Sequence, residues 1–358
     1  QMRQVDAITQ TLGIFLRHFK SCGLAIEQCQ ARADSSSGSL RARAFLKIFG
    51  LVHEAYEKRL GERIDFEDMI GRATDHVKQG RYRSPYHHLL VDEFQDISDG
   101  RAALLLALKG QHADARIFAV GDDWQSIYRF AGSDLHLMRH FGEVFGGTFA
   151  DASGVHSVVD LGRTFRNVDQ IAFAARRFVL KNPSQIEKQI IPAAKSTTTA
   201  IRLAEYTRST EAEALRAALD DISATSPGSK ASVMLLGRYR FVEPGNMAEL
   251  KSAYPHFDLR FMTVHRSKGL EADHVIVLRA ASGRMGFPSE IVDDSLLDLV
   301  LPEPESFDHA EERRLFYVAM TRARHTVTVM IDRDNPSVFG SEILNDRSYG
   351  AIARHAAH

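Results

Sequence analysis

The sequence predicts an α/β protein built on parallel sheets and preceded by a helical segment. Two observations carry that prediction. Short apolar runs alternate with helix-like stretches, and two of the runs end in adjacent carboxylates. Leu89, Leu90 and Val91 lead into Asp92 and Glu93, and residues 117–120 lead into Gly121, Asp122 and Asp123. Strand, helix, strand at this spacing is a βαβ unit, which implies parallel strands. In open parallel sheets the ligand site lies at the C-terminal ends of the strands, where both carboxylate pairs fall.

Residues 1–60 read as helices, with Leu12, Phe15, Leu16 and Phe19 at helical spacing. The stretch 33–39, ADSSSGS, reads as a flexible break, and a second helical run spans 40–60. Between the two carboxylate-tipped strands, residues 102–108 form a leucine-rich helix. In the second half, residues 233–236, 259–262, 274–278 and 326–331 read as strands. Helices lie between them. Residues 210–222 open with Thr210 and Glu213 in a capping-box pattern, and residues 310–322 follow Asp308 as an N-cap. Three segments result: helical at 1–60, α/β at 61–156, and a second α/β domain at 157–358.

A chain of 358 residues exceeds one core and implies two or three domains. A hydrophobic content of 44% is that of an ordinary globular protein and excludes the disordered class. No apolar run reaches bilayer length, and the N-terminus lacks a signal pattern. The expectation is a cytoplasmic chain with no membrane partner. Cys22 and Cys29 have no His/Cys partners at zinc spacing and read as ordinary thiols. With a net charge of −1, a nucleic-acid binder must gather its positive charge locally.

Five segments carry chemistry. In LLVDEFQD, Asp92 can hold the water shell of Mg²⁺ and Glu93 can orient or deprotonate an attacking water. In AVGDDWQSIYRFAG, Gln125 can sense a γ-phosphate. There Tyr128 and Phe130 flank Arg129, a combination suited to unpaired bases and a phosphate, and equally to a core. LGRTFRN places Arg166 at the start of the second α/β domain. In FMTVHRSKGLEADHVIV, Gly269 permits a tight turn and Ser267–Lys268 can meet phosphates. EERRLFYVAMTRARH carries Arg322, and a guanidinium from a second domain can neutralise charge on a transferred phosphoryl group. Either arginine alone reads as a surface salt bridge.

In this order the five segments resemble the helicase motifs II to VI of UvrD/Rep-type superfamily 1 enzymes. IDFEDMI, at 64–70, resembles a short family segment upstream. Trp124, and the stretch GRYRSPYHHLLVDEFQDIS, resemble the helicase IV subgroup. The resemblance implies P-loop NTPase-type (RecA-like) domains with ATP between them, and an ATP-dependent 3′ to 5′ helicase or translocase. Its partners would be single-stranded DNA and duplex junctions. It implies Asp92 on Mg²⁺, Glu93 as catalytic base, Gln125 as γ-phosphate sensor, and Arg166 and Arg322 as arginine fingers. Gly269 and Glu271 would meet the nucleotide, with Glu271 at its sugar. Tyr128, Arg129, Phe130, Thr263, His265 and Lys268 would line the DNA path. Residues 1–60 would be a helical accessory segment.

One part of that pattern is missing. Enzymes of this class hold phosphates with a glycine-rich loop ending in Gly-Lys-Thr or Gly-Lys-Ser, and this chain has no Gly-Lys dipeptide. The expectation is therefore an incomplete first RecA-like domain in a truncated chain that is inactive alone. The alternative is a non-catalytic DNA-binding or interaction module, against which Glu93, Gln125, Arg166 and Arg322 all stand in place.

Overall fold

A computed structural model describes residues 2–35, 39–149, 152–225 and 230–355. They form two compact units. The first comprises Gln1–Val158 with Val292–Pro304, and the second Val159–Ile291 with Glu305–His358.

The first unit opens with four helices, α1 (Met2–Ser21), α2 (Ile26–Ser35), α3 (Ser39–Leu60) and α4 (Phe66–Lys78). Residues 33–35 of the expected break close α2, Ser39 opens α3, and 36–38 lie outside the described residues. Phe15 and Phe19 bury against Phe45 and Phe49, with the Phe15 and Phe49 rings 4.6 Å apart. Leu296, Leu297, Leu299, Val300 and Leu301 close the same core, so the segment Val292–Pro304 belongs to the helical layer. Cys22 and Cys29 are free thiols facing the carbonyls of Val300 and Leu299, and burial pushes Cys22 up to about 12. At the head of α4, the Asp65 carboxylate accepts the Asp68 N–H at 2.8 Å while Asp68 accepts the Asp65 N–H. The IDFEDMI segment is thus a capping box.

Next come β1 (His88–Val91), α5 (Asp99–Lys109) and β2 (Arg116–Ala119). β1 and β2 pair in parallel, Leu89 beside Ile117 and Val91 beside Ala119, as the βαβ reading expects. One face packs Val91, Ile117 and Ala119 onto Phe94, Ile97 and Phe145. The other exposes Leu90 at 75% and Phe118 at 64%. Helices α6 (Leu135–Arg139) and α7 (Phe141–Phe145) and a small antiparallel pair, β3 (Gly147–Phe149) and β4 (Ala152–Val155), complete this part.

In the second unit, β5 (Arg163–Val168), α8 (Asp169–Val179) and β6 (Ile191–Ala194) lead into β7 (Ile201–Tyr206) and α9 (Glu211–Thr225). Then follow β8 (Ala231–Gly237), α10 (Met247–Ala253), β9 (Phe257–Thr263), β10 (Ala272–Ala280), α11 (Ala310–Met320), β11 (Ala323–Asp332), α12 (Val338–Asn345) and β12 (Ile352–His355). Six of these strands form one parallel sheet in the order β12-β7-β11-β10-β8-β9. Parallel strands need both faces covered. Leu215, Leu219 and Ile222 of α9 pack on Val233, Leu235, Ile276 and Met330 of the sheet.

Two capping expectations fail. The Thr210 hydroxyl accepts the Thr207 N–H at 2.9 Å and turns to the preceding loop, so it makes no box with Glu213. At α11 the cap position is His309, in left-handed backbone at φ 56°, and not Asp308. The Arg313 N–H closes that helix start on the His309 carbonyl at 2.8 Å without any side-chain cap. Among the described residues no helix is long and apolar enough to cross a membrane.

Candidate functional site

The singled-out residues fall into two clusters, one in each unit. In the first, parallel pairing of β1 and β2 brings both strand ends to one edge, so Asp92, Glu93 and Asp122 come together there. Two further bonds extend the ladder. Val120 N–H donates to the Val91 carbonyl and Phe94 N–H to the Val120 carbonyl, both at 2.9 Å. Glu93 turns through left-handed backbone at φ 49°, a conformation few non-glycine residues adopt. Asp92 accepts the Glu93 N–H at 2.8 Å through one oxygen.

Gln95 links the two strand ends. It is fully buried, its Nε2 donates to the Glu93 carboxylate, and its Oε1 accepts the Asp122 N–H at 2.8 Å. Gln125 Nε2 then donates to Asp122 Oδ2 at 2.7 Å. Glu93 and Gln125, chosen from sequence for one reaction, are thus joined through Gln95 and Asp122. Gly121 makes the approach possible, because a Cβ there would lie 2.8 Å from Gln95 Oε1 and 3.0 Å from its backbone nitrogen. Trp124, 1% exposed, anchors the turn.

Tyr128 and Phe130 form an edge-to-face pair with centroids 5.9 Å apart, and Phe130 stays 48% exposed. Burial raises the Tyr128 phenol, and the charges of Asp96 and Glu93 add to that rise. Arg129 between them is committed within the unit. Its Nε donates to the Pro302 carbonyl at 3.0 Å, and its other nitrogens face Asp298 at 3.2 Å and Asp293 at 3.6 Å. A phosphate would compete with those carboxylates for it.

In the second unit, Thr263 ends β9 and the chain turns through Val264–Ser267. The Ser267 hydroxyl donates to the Val264 carbonyl at 2.7 Å. Gly269 takes φ 79°, the left-handed turn the sequence suggested, with half-buried Lys268 before it. Burial, with the Arg238 charge, drives His265 down to about 4, so its imidazole is neutral at neutral pH. Glu271, just before β10, pairs with Arg324 and with Arg166 at 3.2 Å, and these cations hold its carboxyl below the usual range. Arg322 is 1% exposed. It donates to the Val318 carbonyl at 3.1 Å and the Leu270 carbonyl at 3.3 Å. Asn167, buried beside Arg166, donates to the carbonyls of Thr321 and Ala323 and so ties β5 to the start of β11.

Sequence reasoning missed Gln95, Asn167, Arg238 and Arg324. Arg238 grips Glu312 through two bonds, at 2.9 and 3.1 Å. Only the Arg324 signal was visible, as a second arginine two residues after Arg322. Among the described residues, no three His, Cys, Asp or Glu side chains converge as a metal cage.

Comparison with known proteins gives concordant matches. Residues 6–146 match the family described as UvrD/REP helicase N-terminal domain, and residues 179–333 the UvrD-like helicase C-terminal domain. The chain is 39% identical over 283 residues to DNA helicase IV of Escherichia coli (strain K12), covering 79% of this chain and 39% of that protein. It is 30% identical over 166 residues to ATP-dependent DNA helicase Rep of Salmonella typhimurium, covering 45% of this chain and 23% of that one. With DNA helicase II of Escherichia coli (strain K12) it shares 27% identity over 147 residues, or 39% and 19% of the two chains. The chain thus spans about two-fifths or less of the length of each of these relatives.

Proposed function

The chain belongs to the UvrD/Rep family of DNA helicases, and from that premise we propose that it carries motifs II to VI of an ATP-driven 3′ to 5′ translocase or helicase on single-stranded DNA. The observation that carries this reading is the chain of contacts from Glu93 through Gln95 and Asp122 to Gln125 at the ends of two parallel strands. It holds a carboxylate and an amide in fixed relation at the edge where parallel sheets bind nucleotides.

The donor set fits Mg²⁺. Asp92 is exposed and has one oxygen engaged by the Glu93 N–H, and Mg²⁺ in a nucleotide complex needs only one or two carboxylates besides water and phosphates. Bound Mg·ATP would supply the phosphoryl group and its charge compensation. Glu93 orients and deprotonates the attacking water, and Gln95 keeps its carboxylate turned toward Asp122. Gln125 senses the terminal phosphate. Arg166 and Arg322 neutralise charge on the phosphates, for which Arg322 must first release the Val318 and Leu270 carbonyls. Glu271 meets the nucleotide sugar beside Gly269. Single-stranded DNA, up to a duplex junction, meets Tyr128 and Phe130 in the first unit and Thr263, neutral His265 and Lys268 in the second, and Arg129 takes part only on leaving Asp298.

In this reading residues 1–60 are the accessory segment, 61–156 the part of the first RecA-like domain bearing motifs II and III, and 157–358 the second RecA-like domain, except that Val292–Pro304 crosses back to pack with the helices of the first unit. Without a Gly-Lys loop the chain cannot cradle phosphates, so by itself it binds DNA and does not hydrolyse ATP. The same lack favours the second reading, a DNA-binding module that never hydrolyses ATP.

The test is anisotropy of a labelled oligo(dT) across a salt series. Binding should weaken steadily with salt. Phe130→Ala should cost about 1–3 kcal/mol, the usual worth of one base stack. Salt-independent binding that ignores Phe130→Ala and His265→Ala would remove the DNA path.

A further inference from the structure

The stretch between α4 and β1 lies at the far end of β1 from Asp92 and Glu93, about 13 Å away over four strand residues. The site described above does not use it. Its sequence, KQGRYRSPYHH, contains three cations, and no acidic residue occurs between Asp75 and Asp92.

Its backbone is tightly held. Gln111, from the connection after α5, donates through Nε2 to the carbonyls of Val77 at 3.1 Å and Tyr82 at 2.7 Å, and accepts the Ser84 N–H at 2.8 Å. A ring nitrogen of His112 meets the Ser84 carbonyl at 2.7 Å, and its ring stacks on His87 at 4.2 Å. Gly80 turns through φ 70°, and the N–H groups of Arg81 and Tyr82 close onto the His76 carbonyl.

Its side chains are the reverse. Lys78, Arg81 and Arg83 are exposed, and their charged ends make no hydrogen bond or ion pair with the described residues. Tyr82 is 46% exposed and Tyr86 64%. The carboxylate of Asp114 at the edge is taken up by His87 at 2.8 Å. A rigid turn that displays unpaired cations between exposed tyrosines loses little order when a ligand arrives.

We propose that this ridge is a second contact for single-stranded nucleic acid, separate from the Tyr128–Phe130 path. Lys78, Arg81 and Arg83 meet phosphates, and Tyr82 and Tyr86 stack on unpaired bases. Unpaired guanidiniums suit phosphate oxygens in bidentate pairs, and flat exposed rings among them suit bases of any sequence. An acidic polypeptide would use the cations and leave the rings idle. The proposal rests on the DNA-binding reading of the whole chain but concerns different residues.

The experiment measures binding of fluorescein-labelled oligo(dT) to the full chain across a salt series. It compares wild type, Arg81→Glu/Arg83→Glu, Tyr82→Ala/Tyr86→Ala and the path variant Phe130→Ala. Loss of two phosphate contacts should flatten the slope of log K against log salt by about 1.4. Each lost ring should weaken binding at least about fivefold. All five ridge residues are exposed, so unchanged circular dichroism should accompany both effects. Ridge variants that bind as wild type overturn the ridge, and a loss in Phe130→Ala alone would then leave the DNA path standing. If the charge variant also loses poly-glutamate binding, and the tyrosine variant binds oligo(dT) like wild type, the ridge is a site for an acidic protein and the proposal fails.

Discussion

Replacing Gln95 with leucine tests whether the two strand ends are coupled as the geometry implies. Leucine keeps most of the volume and removes both amide groups. The Asp122 N–H, satisfied by Gln95 Oε1 at 2.8 Å, is left beneath a buried side chain, and Glu93 loses the Gln95 amide as a donor. An orphaned buried donor costs about 1–3 kcal/mol and a bond to a carboxylate contributes about 1.5–3, while the added apolar contact offsets part, so a net loss of about 3 kcal/mol is expected. The chain offers a clean reporter. Trp124 is its sole tryptophan, is 1% exposed, and lies two residues beyond Asp122. Urea unfolding followed by tryptophan fluorescence therefore reports this site within the first unit. With a slope of about 2 kcal/mol per molar urea, the midpoint should fall by roughly 1.5 M. A shift below about 0.3 M would show that Gln95 does not couple the strands, and the positioning of Glu93 would need another source.

Two further perturbations probe the surroundings. Lys20 Nζ lies 2.8, 2.7 and 2.9 Å from Glu57, Asp65 and Asp68 with its side chain only 8% exposed. Lys20→Met leaves three carboxylates facing one another and should cost about 3–5 kcal/mol, with part regained at mildly acid pH as they protonate. A thermal melt moved by less than about 2 °C at neutral pH would contradict this. In the second unit, burial and the neighbouring His325 and Arg202 push His274 down to about 4. At pH 7 the imidazole is neutral in both states. Below about 6.5 the unfolded form takes a proton that the folded form refuses, so stability falls as pH drops and the loss levels off near pH 4. From pH 7 to about pH 5 this site and the similarly lowered His265 should each remove about 2 kcal/mol. Far-UV circular dichroism in urea at the two pH values checks this, and a His274→Asn variant with the same pH dependence as wild type would rule out His274 as a source.

The strands visible in the sequence were those rich in β-branched and apolar residues with no charge among them, such as 274–278 and 326–331, which lie at the centre of the sheet. β7 was hidden because Arg202, 6% exposed, interrupts its run. β5 was hidden because Arg163 and Arg166 occupy it and its partner is the four-residue β6. The ordered motifs named the candidate groups, since each of them is a local word in the chain. What they could not reveal were contacts between distant words. No spacing indicates that Arg129 will meet Asp298 across 169 positions, or that Leu296–Leu301 will join the core of α1 and α3. Gln95 sat in view inside LLVDEFQD, but its double role depends on β2 lying parallel beside β1.

On the proposed function, Glu93 activates water for ATP hydrolysis coupled to single-stranded DNA. The most direct measurement is DNA-stimulated ATP turnover, with and without Glu93→Gln, by this chain alone and by a polypeptide that joins it to an upstream Gly-Lys-Thr loop. Turnover is expected only in the joined polypeptide, reduced about 10²–10⁴-fold by the substitution. Turnover by the chain alone that disappears with Glu93→Gln would contradict the proposed function, because a group within this chain would then be doing the work of the loop lysine.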